Sequence, residues 1–573
     1  VRIAPAAFYY AEVTIIGDLE RARHLALAAQ EESAKEILLA LLAQVEEADR
    51  DDLACEVLAQ LAEIYLVRTA YDGVVEGIRR IRECLDAYTE IRAGRRPDLA
   101  GRVTMSEREI DHLVCRYTRR TEFLAAGLAA ANGDHTGAAA HLRTLIETAG
   151  DFEDLAGEHR GLICHARILI ARGLCDDDMY ADSVPVWTEV LGLLDEYARR
   201  GDVESDHLFV HGALSYGRFC VETGRLDEAQ PWLRRAEARA GARGWRLAGA
   251  RAQLERAAAR WADGDIAETQ TLVHQAYPAI AEHVRAHDVS RSWLYFGLIR
   301  FRVGALDEAD ECWGHAERHW REIEKPLHIH RILLQRSWIA IMRGDFAAAV
   351  EKVAEARELL DSYPRHSWLQ YARLDDQLGN IWRADALADL GLDPNTGTVS
   401  ADPDSREYRS AMVKLKQAAD LKVPAALAVD AVRYSISDAG ARMRWARCVS
   451  APLLAGAFAV AKEWENAALV SELIEYHSAR GAFTTELGDD RPRPVEGAWS
   501  SIATAAVPVE GELALVAAAP PVQADGGLTR LGPLPPLRMD PAGDQIMRGY
   551  RELARQRYGR EVTAVDDEWS TWP

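Results

Sequence analysis

Between His207 and Tyr363 the chain repeats itself every 40 residues, and that period constrains the fold more than any other feature. Gly224, Gly264, Gly304 and Gly344 mark the four copies. Five residues after each stand Ala229, Thr269, Ala309 and Ala349, and twelve after each stand Ala236, Ala276, Ala316 and Ala356. Seven residues before each Gly comes another small residue: Gly217, Ala257, Gly297 and Ser337. Helix-length apolar segments flank every Gly, so the unit reads as helix, tight turn, helix. The Gly supplies the positive φ that ends the first helix, and the small residues let two helices cross closely. A unit this thin cannot bury its apolar stripe alone. Its copies must stack into an all-α solenoid.

The third copy is the most informative. Trp293, Gly297, Gly304, Ala309 and Ala316 fall at the spacings of the tetratricopeptide repeat, and the chain resembles that family. The period departs from it, 40 residues here against about 34 in the family, so each unit needs longer helices or a longer joint. The other copies keep the small positions and lose the Trp. The resemblance implies an array whose first helices line a concave, partner-binding face. It leaves the ligand open, because such repeats serve many functions.

At 573 residues and 48% hydrophobic, the chain has ample material for a large core. No run of 18 apolar residues occurs, so no transmembrane helix is expected. The opening VRIAPAAFYYAEVTIIGDLERARH lacks a basic start and a small-residue cleavage site, so no secretory signal is expected. The eight Cys are scattered without a Cys-x-x-Cys pair, which reads as reduced packing residues of a cytoplasmic protein. A net charge of −22 argues against nucleic acid or an anionic membrane as partner.

Taken in order, residues 1–50 read as an N-terminal helical segment and 51–390 as the solenoid. Within it, Thr69 replaces the turn Gly of a degenerate copy, Gly133 marks another, and DMYADSVPVW is read as the turn of a weaker copy over 158–198. GLDPNTGTVSADPDS, residues 391–405, reads as a linker rich in turn residues. Residues 406–480 return to a helical, repeat-like pattern. Residues 481–573 read as a Pro-rich tail, extended or disordered, with a short helix over Asp544 to Tyr558.

The segment GLTRLGPLPPLRMDPAGDQIMRGYRELARQRYG resembles actinobacterial proteins that pair tetratricopeptide repeats with CHAT modules, which are caspase-like peptidases. That resemblance implies a non-catalytic repeat partner of such a peptidase in a conflict or defence system. No His/Cys peptidase domain is visible in the chain itself.

Thirteen residues before each repeat Gly stand His211, Arg251, Arg291 and Arg331, at a groove-facing position by the family pattern. Such a ladder suits an acidic peptide or a C-terminal carboxylate, which guanidinium groups bind through paired, charge-assisted hydrogen bonds. Trp261 and Trp338 fall near groove positions and are candidates to anchor an apolar side chain. Cys312, His315 and His319 share one helical face, but Cys312 occupies the position of Trp232 and Leu272 in neighbouring copies, so packing is the better reading and no metal is expected. No phosphate-cradling loop, GxSxG elbow or HExxH motif occurs. The chain therefore reads as a non-enzymatic, protein- or peptide-binding scaffold or sensor without cofactor. The alternative is a ligand-responsive regulator sensing a small molecule or short peptide. The acidic, aromatic end DDEWSTWP is a candidate to dock in the groove in cis.

Overall fold

The computed structural model describes residues 5–48, 50–100, 103–148, 150, 152–177, 179–283, 285–364, 366–393, 396, 398–435, 445–479, 536–539, 543–563 and 569–570. It is an all-α helical-repeat solenoid, with one two-residue parallel strand pairing among the described residues, Leu537–Arg538 (β1) with Trp569–Ser570 (β2). The helices come as consecutive antiparallel pairs. The first are α1 (Pro5–Leu27) with α2 (Glu31–Glu47) and α3 (Asp51–Val67) with α4 (Tyr71–Arg92). After the single turn α5 (Pro97–Ala100) come α6 (Glu107–Ala131) with α7 (His135–Glu147) and α8 (Ala156–Asp176) with α9 (Tyr180–Arg200). The 40-residue copies give α10 (Val203–Glu222) with α11 (Leu226–Ala242), α12 (Arg246–Ala262) with α13 (Ile266–Glu282), α14 (Ala286–Arg302) with α15 (Leu306–Glu322), and α16 (Pro326–Met342) with α17 (Phe346–Ser362). Then follow α18 (Trp368–Asp389), α19 (Arg406–Ala431), α20 (Ala451–Glu463), α21 (Ala467–Ala479) and α22 (Arg548–Tyr558). The chain divides into two compact units. Unit 1 is Val1–Cys220, Leu226–Ala259 and His274–Val284; unit 2 is Val221–Arg225, Arg260–Val273 and Arg285–Pro573.

Turn chemistry explains why each helix stops where it does. Gly224, Gly264, Gly304 and Gly344 adopt φ of 67°, 82°, 78° and 74°, the left-handed conformation that lets a helix end without steric cost. Where an Asp follows the Gly it caps the next helix: Asp134, Asp265 and Asp345 accept from the backbone N–H three residues on, at 2.8, 3.0 and 3.0 Å. Thr69 sits at φ 59° in the place a Gly would take, so the degenerate copy keeps the geometry and bears the strain.

The small positions set the helix crossings. Ala229, Ala236, Ala257, Thr269, Ala276, Ala309, Ala316, Ser337, Ala349 and Ala356 are wholly buried. At Gly217 an added Cβ would lie 2.4 Å from the Leu233 side chain, and at Gly297 one would lie 2.2 Å from Trp313 Nε1. Trp313 itself is fully buried and donates that N–H to the Leu294 carbonyl at 3.1 Å. The indole thus fills the space that Gly297 leaves.

Three readings of the sequence differ from the structure or fall outside it. The turn of the 158–198 copy falls after the end of α8 at Asp176 and before the start of α9 at Tyr180, because ADSVPVW already belongs to α9, with Pro185 accommodated inside it. Residues of the 391–405 segment fold back on the helices: the Ser400 N–H donates to the Leu390 carbonyl at 3.0 Å, and Leu392 and Ala401 pack against Leu390 and Leu415. Most of the Pro-rich stretch, 481–535, lies outside the described residues. Beyond it, Leu537, Ile546, Met547, Ala554, Tyr558 and Val562 are buried in the core built by α18 to α21. There the Tyr558 hydroxyl donates to Asp375 at 2.7 Å, beside an Arg357–Asp375 ion pair of 2.5 Å. No helix among the described residues is long and apolar enough to cross a membrane.

Two substitutions test these constraints by chemical denaturation. Gly297→Ala should cost about 1–3 kcal/mol, because the extra methyl forces Trp313 out of its site. Thr69→Gly should gain roughly 1 kcal/mol by removing left-handed strain. A neutral Gly297→Ala would show that the helix pair has slack the structure does not display.

Candidate functional site

The six residues singled out from the repeat register divide between the units. His211 and Arg251 lie in unit 1; Arg291, Arg331, Trp261 and Trp338 lie in unit 2. Arg251, Arg291 and Arg331 hold the same place, the sixth residue of α12, α14 and α16, and His211 is the ninth of the longer α10. His211 and Arg251 are half-buried, whereas Arg291 and Arg331 are only 6% and 9% exposed, and Trp261 and Trp338 7% and 6%. The Arg291 guanidinium lies 5.9 Å from the Tyr295 ring centre and 4.0 Å from the Glu222 carboxylate. In unit 2 these groups are therefore engaged within the fold, and a ligand must compete with those contacts. The DDEWSTWP end falls mostly outside the described residues; within it Trp569–Ser570 pairs with Leu537–Arg538.

In unit 1 the first helices of successive pairs share one charged face. Arg120 on α6, 4% exposed, ion-pairs with both Glu56, at 2.8 Å, and Glu63 on α3. Arg116, one turn earlier, reaches Glu158 on α8 at 2.9 Å and Glu56 at 3.4 Å. The Tyr117 hydroxyl and the Gln60 amide also donate to Glu56, at 3.0 and 2.9 Å. Arg23 on α1 extends the network, with Glu63 at 3.1 Å and, 181 residues away in sequence, Glu204 on α10 at 2.5 Å. Burial works against the Glu56 charge, yet Arg120 and Arg116 outweigh it and hold its carboxyl well below the usual carboxylate range. Glu63 is lowered in the same way, burial being overcome by Arg120 and Arg23.

Beside this network three imidazoles meet. The His165 ring on α8 lies 5.1 Å from His211 and 5.9 Å from His207, and the two α10 rings are 6.0 Å apart. Phe123 of α6 flanks His165 at 5.0 Å and Trp245 flanks His207 at 6.0 Å. Burial, then the neighbouring His207, pushes His165 down to about 3. His207 is lowered chiefly by burial, and His211 well lowered by burial followed by His165, His207, Arg172 and Arg251. All three are neutral at physiological pH. The repeat register points to His211 but not to the other two, nor to Arg23. A signal was present: partners in this part of the chain stand 42 residues apart, as in His112–Asp154, Arg116–Glu158 and His135–Asp177.

The other candidates have structural roles. His315 stacks on Trp293 at 5.0 Å and accepts from Arg318 at 2.6 Å, while His319 lies against Trp320 and Cys312 is buried. Among the described residues no group of three His, Cys, Asp or Glu side chains is arranged to hold a metal ion. Burial raises the Cys164 thiol to about 12 and the Cys312 thiol to about 11, the reverse of what a nucleophile requires. A recess of about 440 Å³ in unit 2 is lined by Asp307, Asp310, Glu317, Arg321, Arg336 and Arg343, whose charges pair with one another.

Two consequences are measurable. Arg120→Met leaves Glu56 and Glu63 without their main counter-charge and should destabilise unit 1 by about 3–5 kcal/mol; adding Glu56→Gln and Glu63→Gln should recover much of that. The histidines set a pH dependence of definite sign. With His165 at about 3 in the folded chain and roughly 6.5 when unfolded, the unfolded state binds more protons between these values. Stability is then full above the upper value and falls as pH drops. The thermal midpoint should be lower at about pH 5.5 than at pH 7.5, with a smaller drop in His165→Gln. A midpoint that rises on acidification would contradict the assignment.

No family model matches the chain, and no curated protein is significantly similar to it in sequence. Among solved structures it is similar to a Rap protein complexed with competence and sporulation factor, at 14% identity and a TM-score of 0.40, over 72% of this chain and 98% of that one. It is also similar to the Rap conjugation gene regulator of the plasmid pLS20 in complex with the Phr* peptide, at 12% identity and a TM-score of 0.37, over 63% of this chain and 95% of that one. At such identities and scores the likeness carries nothing about ligand or activity.

Proposed function

We propose that the chain is a non-catalytic, cytoplasmic scaffold or sensor that holds an acidic peptide, or an acidic segment of a partner protein, against the first helices of its pairs. The observation that carries this reading is the shared face of unit 1, where α1, α3, α6, α8 and α10 contribute charge and imidazole in place of aliphatic filler. Stacking alone does not ask for such a lining, since well-packed apolar residues of similar volume are often as stabilising as buried ion pairs. Charge kept in spite of its desolvation cost suits recognition, where it selects partners by complementarity.

In this reading His211 and Arg251 take acidic groups in unit 1; in unit 2 Arg291 and Arg331 do so, and Trp261 and Trp338 bound apolar side chains of the ligand. The partner class is the CHAT-type peptidase implied by the resemblance of residues 527–559; that sequence resemblance is its whole support. The raised thiols favour the non-catalytic part.

A selection of displayed random octapeptides against the purified chain tests the core of the proposal. Peptides enriched in Asp and Glu are expected, with binding weakened at least tenfold in Arg251→Gln and Arg291→Gln variants that keep wild-type circular dichroism. Selected peptides without acidic bias, or indifferent to both substitutions, would overturn it. Recovery of a CHAT-type peptidase by wild-type bait but not by these variants would support the partner class; its absence from both would remove it.

A further inference from the structure

Two contacts fix the register of α3 against α4, and a pair of cysteines lies between them. Gly77 of α4 approaches α3 so closely that an added Cβ would lie 2.9 Å from the Ala62 Cβ. Further along, the Tyr88 hydroxyl of α4 donates to Asp51 of α3 at 2.7 Å. In an antiparallel pair a step forward on one helix is matched by a step back on the other. Seven residues on from Gly77 is Cys84, and seven back from Ala62 is Cys55. Four residues on from Cys84 is Tyr88, and four back from Cys55 is Asp51. Steps of seven and four keep to one helical face, so the two cysteines are opposed across the interface.

Their surroundings agree with that register. Cys55 and Cys84 pack in one apolar cluster with Leu58, Ile81, Leu85 and Tyr88. The Cys84 thiol lies within hydrogen-bonding reach of Cys55, and both are free thiols. That hydrogen bond, then burial, pushes the Cys55 thiol up and keeps it protonated at rest. Cys55 is 1% exposed, whereas Cys84 is only half-buried. A disulfide needs Cβ atoms about 3.5–4.5 Å apart, and helices that cross this closely bring opposed Cβ atoms into that range. Two small apolar residues would fill the same space; two thiols add the capacity to be joined.

We propose that Cys55 and Cys84 are a reversible redox pair, in which hydrogen peroxide oxidises Cys84 and Cys55 then closes a disulfide that staples α3 to α4. The inference is independent of the ligand reading above. In the first step the Cys84 sulfur, its proton given to solvent, attacks one peroxide oxygen. The O–O bond breaks, the leaving hydroxide takes up a proton as water, and Cys84 becomes a sulfenic acid. In the second step the Cys55 sulfur attacks the Cys84 sulfur. The S–O bond breaks, and hydroxide leaves with the Cys55 proton as a second water. The two sulfurs together give up two electrons, and the peroxide takes them. The order follows from exposure, since an oxidant in solvent meets Cys84 before Cys55. A pair that rests reduced and closes on oxidation is the form that redox-sensing bridges take in reducing compartments. Because α3 also carries Glu56 and Glu63, the staple holds one helix of the charged face in place.

The test is to treat the native full chain with hydrogen peroxide, alkylate the remaining thiols after denaturation, and map the digested peptides by mass spectrometry. Two fewer alkylated cysteines are expected, with one peptide pair joined through Cys55 and Cys84 and both thiols restored by dithiothreitol. The thermal midpoint of the oxidised chain should shift upward and return on reduction, because the bridge restricts the unfolded chain. In Cys55→Ser the reaction should stop at the first step, with Cys84 trapped by dimedone. If both cysteines of the wild type stay alkylatable, the pair is overturned. The same holds if Cys84 goes on to sulfinic acid while Cys55 stays reduced, or if Cys84 bridges to any other cysteine. A linked chain whose midpoint does not rise overturns the staple, and Cys84 unreactive in a folded Cys55→Ser chain overturns the order. The peptide map is read on the wild type, so it decides the pairing even where the variant fails to fold.

Discussion

Two helices can approach only as closely as the largest side chain between them allows, and this chain keeps that limit small by rule. Gly217 and Gly297 on the first helices meet Leu233 and Trp313 on the second, and Ala257 and Ser337, at the same place in their copies, are wholly buried. Close crossing brings each pair into a thin, flat layer, and thin layers stack with their first helices side by side. Everything found on the inner face of unit 1 depends on that arrangement. Arg23 meets Glu204 across 181 residues because α1 and α10 are placed within a side chain's reach.

The inner face then shows two kinds of electrostatic solution next to each other. Around Arg120 the carboxylates and guanidiniums balance, each held in its charged form by the other. Around His165 burial, more than any neighbouring charge, lowers the imidazoles. The first arrangement is rigid and self-sufficient.

What could be read from the sequence follows from what is local. The 40-residue register, the turn glycines and the wholly buried alanines are set by contacts within one unit or its neighbour, so the period alone locates them. The same register gave His211, Arg251, Arg291 and Arg331 a common helical place but not their surroundings. That Arg291 stands beside Tyr295 and Glu222, nearly closed off from solvent, depends on how far the helices are apart. The histidine cluster needed the 42-residue offset of the earlier pairs, and the Arg23–Glu204 contact has no local signal at all. In the 158–198 copy, DMYADSVPVW reads as a turn, yet most of it belongs to α9, which carries Pro185 inside it as its sixth residue.

The Tyr558–Asp375 hydrogen bond has a consequence in time. Its partners are separated by 183 residues of sequence. At a synthesis rate of about 5–20 residues per second, α18 waits roughly ten to forty seconds on the ribosome before α22 arrives. During that interval Asp375 has Arg357 but not the tyrosine, and the apolar surface that Ile546, Met547 and Ala554 later cover stands open. The two helices of each earlier pair close on one another moments after synthesis, although the Arg23–Glu204 bridge, across 181 residues, waits as long. The section from α18 to α21 therefore keeps part of its apolar core uncovered until α22 is made.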